Sequence, residues 1–372
     1  IPLVCKKSAN TTVVFTPAIP QDSPQLEFFK VNGFDIFKRS EILGELSKGL
    51  HCLAVGGTHG KTTTSSILAH LLRESGKKIT AFLGGISSNF GSNFICEGNE
   101  YMVVEADEFD RSFLTLHPDL LCITSMDADH LDIYQNVENL ETSFQSFAAL
   151  VSNPNQRWVR EGLDVSGVTF GTSKHAEVWV EHVRVENGHY VFDFHSKDQI
   201  LKDLQLRLPG EHNLMNATVA ITMALSVGCD PQSIATALQH FRGVDRRFSV
   251  RIEEPAVVID DYAHHPTEIN QMADAVKQFY PSVKRLAVFQ PHLFSRTRDF
   301  CEGFAESLSQ FDHTILLDIY PARELPIPGI TSQSILEMMS GSVEIVSKSQ
   351  LPEKVADAGA DVVVVMGAGD IA

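Results

Sequence analysis

No apolar run of about 18 residues, the length a helix needs to span a bilayer, occurs in this chain, and no basic-then-apolar leader opens it. A membrane span and a signal peptide are therefore not expected, and a cytoplasmic protein is. Positive charge is scarce as well. Against 47 Asp and Glu stand 30 Lys and Arg, a formal net charge of −17, which argues against a general nucleic-acid binder because phosphate contacts want a basic face. Anionic substrates stay possible, since a few local cations and a metal can dominate a cleft. The 6 cysteines (Cys5, Cys52, Cys96, Cys122, Cys229, Cys301) are dispersed and several lie in apolar runs. That suits reduced core thiols better than a disulfide framework or a zinc site. Internal repeats and low-complexity stretches are lacking too, and the opening residue is Ile1 where a methionine would stand, as in a fragment of a longer chain.

What is present is an ordinary globular balance of 43% hydrophobic and 21% charged residues over 372 positions, enough for two or three domains with their own cores. From 52 to 126 strands and helices alternate, with short apolar runs at 52–55, 78–83, 101–105 and 120–124, the rhythm of a mostly parallel sheet with covered faces. Around Asn187-Gly188 the pattern turns to the alternation of a hairpin. Helical spacing returns at 214–227 and at 231–241, the latter opened by Asp230 as a cap before Pro231. Beyond Arg247 a second α/β rhythm begins, with strands expected at 256–259, 286–289, 315–317 and 362–365 and helices at 268–279 and 298–311. Before residue 49 a strand at 12–15 and a helix at 25–31 are too little for a core of their own.

The most informative stretch is Gly56-Gly57-Thr58-His59-Gly60-Lys61-Thr62-Thr63. It follows the apolar run at 52–55 and precedes Ile67, Leu68, Leu71 and Leu72 at helical spacing, so it joins a strand to a helix N-terminus. Free N–H groups and the helix dipole favour anions there. Glycine lets the backbone close on phosphate oxygens, Lys61 can reach the β/γ-phosphates, and the Thr62 hydroxyl can ligate Mg²⁺. Val55 stands at the first glycine position of the usual phosphate-loop pattern, so this loop is a shortened version.

Further groups sit just past strand ends, where ligands of open α/β sheets gather. In Glu105-Ala106-Asp107-Glu108 a carboxylate suits Mg²⁺, although a solvated acidic loop has the same composition. In Asp127-Ala128-Asp129-His130 the histidine suits a second divalent ion, while a capping aspartate pair is as good an account; no lysine between 101 and 156 assists it. Asn213 and Asn216, three apart on one helix face, suit an adenine edge, with capping by Asn213 as the competing account. Asp261 follows a strand and suits a ribose; His264 and His265, before Pro266, suit a carboxylate or an amine; Arg296 and Arg298 offer forked donors for carboxylate or phosphate, with a basic start to a surface helix as the competing account.

Together these groups resemble the Mur ligases. Gly57-Thr58-His59-Gly60-Lys61-Thr62-Thr63, Glu105-Ala106-Asp107-Glu108, Asp129-His130-Leu131-Asp132, Gly210 through Asn216, Arg246-Arg247-Phe248, Asp260 through Pro266, Phe289 through Arg296, Tyr320-Pro321-Ala322, Pro326-Ile327-Pro328-Gly329 and Gly367-Ala368-Gly369-Asp370 follow in the family's order across nearly the whole chain. The resemblance implies an α/β chain of three units. Residues 1–48 are the remnant of an N-terminal UDP-sugar-binding domain, 49–246 a central P-loop ATPase domain, and 247–372 a C-terminal Rossmann-like domain receiving the amino acid. It implies ATP-dependent ligation of L-alanine to the carboxylate of UDP-N-acetylmuramate through an acyl phosphate, in peptidoglycan precursor synthesis, by a monomer or dimer. ATP and one or two Mg²⁺ ions, with Mn²⁺ as an alternative, are the implied cofactors.

By the same resemblance Lys61, Glu105 and His130 are catalytic. Gly57, Thr58, His59, Gly60, Lys61, Thr62, Thr63, His212, Asn213, Asn216, Arg247 and Asp261 hold ATP; Thr62, Glu105 and His130 hold metal; His264, His265, His292 and Arg296 hold the other substrates. Three departures stand out: the family's N-terminal glycine-rich UDP motif is represented only by its later part, Thr16-Pro17-Ala18-Ile19-Pro20; the chain stops at Ala372, just after a motif the family continues; and Leu293 stands where some relatives carry arginine. A murein-peptide ligase, joining a recycled tripeptide to the same UDP-sugar, is the alternative within the family, and Gln290 through Arg296 resembles the alanine-adding members better. A P-loop regulatory NTPase accounts for Lys61 and Glu105 but not for His264, His265 and Arg296. A binding module without catalysis is the reading suggested by the missing N-terminal motif.

Overall fold

The computed structural model describes residues 11–16, 19–20, 22–127, 134, 136–322 and 324–371. At the N-terminal end, β1 (Thr12–Phe15) and β2 (Asp35–Lys38) pair in parallel across the helix Pro24–Val31. The strand expected at 12–15 and the helix at 25–31 are both there.

The middle of the chain builds one sheet from β3 (His51–Gly56), β4 (Ile79–Ser87), β5 (Ser92–Cys96), β6 (Tyr101–Glu105), β7 (Leu120–Ile123), β8 (Arg157–Arg160), β9 (Val168–Gly171), β10 (Val178–Glu186), β11 (His189–His195) and β12 (Ile200–Leu206). Its strand order is β12-β11-β10-β9-β8-β7-β3-β6-β4-β5, parallel from β10 to β4 and antiparallel where β5, β11 and β12 join. The run 52–55 reads as unbroken apolar because both faces of β3 are covered. Leu53 and Val55 pack into one core, Cys52 and Ala54 into the opposite one, the two-residue alternation of a strand. Helices Lys61–Glu74 and Glu211–Ser226 cover the first face through Ile67, Leu68, Leu71, Leu214 and Val219; Val137–Ala149 covers the second through Leu140, Phe144 and Phe147. The hairpin turn falls on Asn187 and Gly188, with φ of 50° and 72°, the left-handed pair that matches strand twist. Asp230 accepts the Ser233 amide at 3.0 Å and caps Pro231–Gln239.

The last third forms a second sheet from β13 (Ser249–Ile252), β14 (Val257–Asp261), β15 (Arg285–Phe289), β16 (His313–Leu316), β17 (Val343–Ile345) and β18 (Val362–Met366), in the order β13-β14-β18-β15-β16-β17. Only β13 runs antiparallel to its neighbour. The helix expected at 298–311 begins earlier and divides into Phe294–Asp299 and Cys301–Leu308. Phe300, at φ −120° and ψ 20°, leaves helical geometry between them. Helix Pro266–Phe279 packs against Cys301–Leu308 on one face of this sheet.

Where the chain crosses between sheets, Arg246 and Phe248 take φ of 57° and 46°, a conformation L-residues rarely adopt. Surrounding bonds hold them. Tyr262 N–H donates to the Arg246 carbonyl at 2.8 Å, and Phe248 N–H to Asp261 Oδ2 at 2.7 Å. The Arg246 guanidinium donates to the carbonyls of Gly367 and Gly369 at 2.5 and 3.2 Å.

Candidate active site

The turn after β3 is shaped by two glycines. Gly57 has φ 135°, and a Cβ there would lie 2.1 Å from Thr124 Oγ1; Gly60 has φ 83°, and a Cβ there would lie 2.4 Å from Asn216 Oδ1. Helix Lys61–Glu74 starts immediately after, so its first amides, which have no intrahelical acceptors, open onto the turn. The turn is short because β3 runs on to Gly56: Val55 is paired with Glu105 and Cys122 inside the sheet. The end of the neighbouring strand clamps it, with Thr58 Oγ1 donating to the Asp127 carbonyl at 2.9 Å and His59 N–H to Ser125 Oγ at 2.7 Å.

Lys61 is folded back on this turn. Its ammonium donates to the carbonyls of Gly57 and Thr58 at 2.6 and 3.0 Å and pairs with Glu108 Oε2 at 2.7 Å. The two side chains are 13% and 2% exposed. Burial works against the lysine charge, but the carboxylates of Glu108 and Glu105 outweigh it and raise its pKa. Glu105 points to the same space from the end of β6. Its Oε2 accepts Gly84 N–H at 2.8 Å, and a Cβ at Gly84 would sit 2.3 Å from that oxygen.

A cavity of about 440 Å³ joins this turn to the second sheet. Thr58, His59, Gly60, Lys61, Thr62, Thr63 and Glu105 line it from the first sheet, His212, Asn213 and Asn216 from helix Glu211–Ser226, and Arg247, Asp261 and His264 from beyond the crossing. Asn213 does not cap its helix: its Nδ2 donates to the Pro209 carbonyl at 2.7 Å, and its Oδ1 accepts from Asn216 at 3.3 Å. Asp261 spends both oxygens on backbone amides, Phe248 at 2.7 Å and Ala263 at 2.8 Å; burial pushes its carboxyl up to about 6 despite Arg247.

His212 packs over Gly210, where a Cβ would meet its ring at 2.4 Å. Burial, then the charge of Arg247, pushes the imidazole down to about 4. The folded chain therefore binds fewer protons than the unfolded one between that value and the ordinary 6.5, and stability is lost as pH falls through this window. In His212→Asn the acid limb is expected to flatten by up to about 1.4 kcal/mol per pH unit, read as urea midpoints near neutrality and near pH 5; equal slopes in the two proteins would overturn the neutral-imidazole assignment.

The remaining expected residues are placed differently. His265, His292 and Arg296 are not among the side chains lining this cavity. His265 accepts Thr267 N–H at 3.3 Å and meets Phe300 edge-on; its ring centroid is 5.0 Å from that of His59. His292 stacks on Tyr320 at 5.7 Å and lies 3.4 Å from the Arg296 guanidinium. Ala128, Asp129, His130, Leu131 and Asp132, and Pro17, Ala18 and Cys5, lie outside the described residues.

The residues that sequence reasoning passed over are Glu108, Gly84 and Glu268. Glu108 belonged to a motif in which Glu105 alone was singled out. Glu268, in the first turn of Pro266–Phe279, reads as an ordinary acidic helix start. In the structure it faces His59 Nδ1 at 3.3 Å, Arg247 at 3.7 Å and His264 Nδ1 at 3.3 Å. Burial opposes its charge, and the cations around it hold its carboxyl well below the usual range.

Family models describe residues 55–224 as the Mur ligase middle domain and residues 246–369 as the Mur ligase, glutamate ligase domain. The chain belongs to the Mur ligase family. Among its relatives, the UDP-N-acetylmuramate–L-alanine ligase of Christiangramia forsetii is 52% identical over 370 residues, spanning 99% of this chain and 82% of the relative. The enzyme of the same name from Flavobacterium johnsoniae is 52% identical over 364 residues, 97% and 81% of the two chains. The crystal structure of UDP-N-acetylmuramate–alanine ligase from Thermotoga maritima superposes with a TM-score of 0.80 at 28% identity, covering 97% of this chain and 82% of that one. A murein peptide ligase from Psychrobacter arcticus shares the fold at a TM-score of 0.66 and 21% identity, covering 97% of this chain and 83% of that one.

As a Mur ligase the chain is an ATP-dependent ligase, and its α/β fold is the family's. The residues fit a nucleotide: the helix amides beyond Gly60 and the Lys61 ammonium face a cavity large enough for phosphates. They also fit Mg²⁺. No group of three or more His, Cys, Asp or Glu among the described residues is placed to hold a metal; Mg²⁺ is commonly held by one or two protein oxygens plus phosphate and water, and Thr62 and Glu105, which line the cavity, offer oxygens of that kind. No helix among the described residues is long and apolar enough to cross a membrane.

Proposed function

We propose that this Mur ligase joins L-alanine to the carboxylate of UDP-N-acetylmuramate at the expense of ATP, a step of peptidoglycan precursor synthesis. The observation that carries the reading is one cavity in which a phosphate-binding turn with a buried, charged lysine faces a carboxylate and the histidine and arginine of a second α/β unit. The identities with alanine-adding relatives over nearly the whole chain select the substrate pair. Residues 1–48 are assigned to the remnant of the UDP-sugar unit, 49–246 to the nucleotide and 247–372 to the amino acid.

The chemistry demands that two anions meet. A carboxylate oxygen of the sugar attacks the γ-phosphorus, and the bridging oxygen leaves on ADP. Positioning and charge neutralisation carry such a transfer, and Lys61, which stays protonated, with the helix amides after Gly60, supplies both. Thr62 and Glu105 would hold a bound Mg²⁺, which would supply further positive charge for the phosphates, and His130 is assigned to a second ion. The L-alanine amine then attacks the acyl carbon, phosphate leaves, and the amine gives up its proton. His264 and Arg247 reach the cavity from the second unit; His265, His292 and Arg296, close by, are assigned to the incoming carboxylate. Asn213, Asn216 and His212 are assigned to adenosine, and Asp261 acts there through the backbone it holds. Closure of the two units keeps water from the acyl phosphate.

The test is phosphate release with UDP-N-acetylmuramate plus either L-alanine or the tripeptide. Release with L-alanine alone of the two is the expected result. Release with the tripeptide instead would transfer the chain to the murein-peptide ligases, and release indifferent to both would make it a regulatory NTPase.

A further inference from the structure

We propose that Glu268 is a positioning residue that latches the second α/β unit onto the phosphate-binding turn through His59. This rests on the ligase reading above, because the turn it fixes is the one assigned to ATP. Helix Pro266–Phe279 is the face that the second unit turns toward the first, where Gln278 accepts from the Tyr190 hydroxyl, and Glu268 is the point at which it reaches the turn.

The geometry is specific. His59 stands between Thr58 and Gly60, and its ring lies between two carboxylates: Nε2 is 3.3 Å from Asp127 Oδ2 of its own unit, and Nδ1 is 3.3 Å from Glu268 Oε1 of the other. Burial, the largest single effect, opposes charge on this ring, and the carboxylates of Glu268 and Asp127 together outweigh it and raise the His59 pKa. The other oxygen of Glu268 accepts His264 N–H at 2.9 Å, and Arg247 lies 3.7 Å from Oε1 while also resting 5.2 Å over the Tyr262 ring. One side chain thus sets the positions of His59 on the turn, Arg247 at the crossing and His264 beyond it.

A buried carboxylate beside a nucleotide site has an electrostatic penalty unless it does something. Isolated buried ion pairs are poor sources of stability, and a bare negative charge would repel phosphates. With its surrounding cations Glu268 stops repelling and instead ties the closed arrangement to the turn that carries Lys61. A helix N-terminus adds a favourable field for that carboxylate.

The test is a mutant cycle in the whole chain with Glu268→Gln, His59→Gln and the double variant, plus Glu268→Asp, all checked for native circular dichroism. Either single change is expected to lower kcat for L-alanine-dependent phosphate release on the order of tenfold, and the double to be no slower than the slower single, because both remove one coupling. Glu268→Asp, which keeps the charge, is expected to recover part of the rate. Losses that multiply in the double variant, or an unchanged kcat in Glu268→Gln, overturn the latch. If the wild-type chain shows no alanine-dependent release, the ligase reading fails first. The latch is then read from small-angle X-ray scattering with ADP, where Glu268→Gln is expected to enlarge the radius of gyration and an unchanged radius overturns it.

Discussion

Replacing Lys61 with alanine is expected to remove ligation by at least about 1000-fold, the upper range for loss of one donor aimed at developing charge, and to destabilise the chain at the same time. The two effects have different causes. Activity is lost because the ammonium that the turn holds toward the phosphates is gone. Stability is lost because Glu108, 2% exposed, loses the ammonium that pairs with it at 2.7 Å. Breaking a buried pair from one side costs about 3–5 kcal/mol. The double variant Lys61→Ala with Glu108→Gln separates them: its urea midpoint is expected to return most of the way to wild type while phosphate release stays at the background. Full turnover by nucleotide-saturated Lys61→Ala would remove the phosphate role, and an unaltered midpoint would remove the ion-pair argument.

That pairing shows which parts of the site were legible from sequence. The turn itself was, because strand, glycines, lysine and helix are consecutive and each residue type answers a local requirement: Gly57 and Gly60 do have the positive φ and the close neighbours that exclude a Cβ. The parallel sheet was legible for the same reason, since β3 alternates between two cores along a run of adjacent residues. Glu108 and Glu268 were not. Their partners lie 47 and 209 positions away (108 − 61; 268 − 59), and only strand order and helix packing bring them together. Asp261 is the instructive middle case. Its place at a strand end was readable, but its oxygens are used by the amides of Phe248 and Ala263, a backbone demand that no side-chain pattern announces. The break at Phe300 escaped because apolar spacing continues across it, whereas the backbone does not.

The net charge of −17 carries a related lesson. The cavity is not a basic pocket; its cations are already paired, Lys61 with Glu108 and Arg247 with Glu268. Binding a polyphosphate there is an exchange of anionic partners rather than neutralisation of free charge. Held in this way, the cations stay charged and in place within an acidic protein.

Glu105 is where the same logic has its second large consequence. Glu105→Gln keeps the shape and removes the charge, so ligation is expected to fall on the order of 100- to 1000-fold at ordinary Mg²⁺ and to recover partly as Mg²⁺ is raised, because a weaker oxygen donor demands more free ion. Gly84→Ala tests the position of that carboxylate without touching it. The new methyl would lie 2.3 Å from Oε2, and the carboxylate must move while the amide that now donates to it at 2.8 Å stays behind. The Gly84→Ala variant is therefore expected to show the same raised Mg²⁺ requirement with a charge-neutral change one strand away. A Mg²⁺ titration of phosphate release decides it. If Glu105→Gln and Gly84→Ala both keep the wild-type Mg²⁺ midpoint, the carboxylate at the end of β6 is not the metal's, and the acidic group after that strand would be the solvated loop its composition also allows.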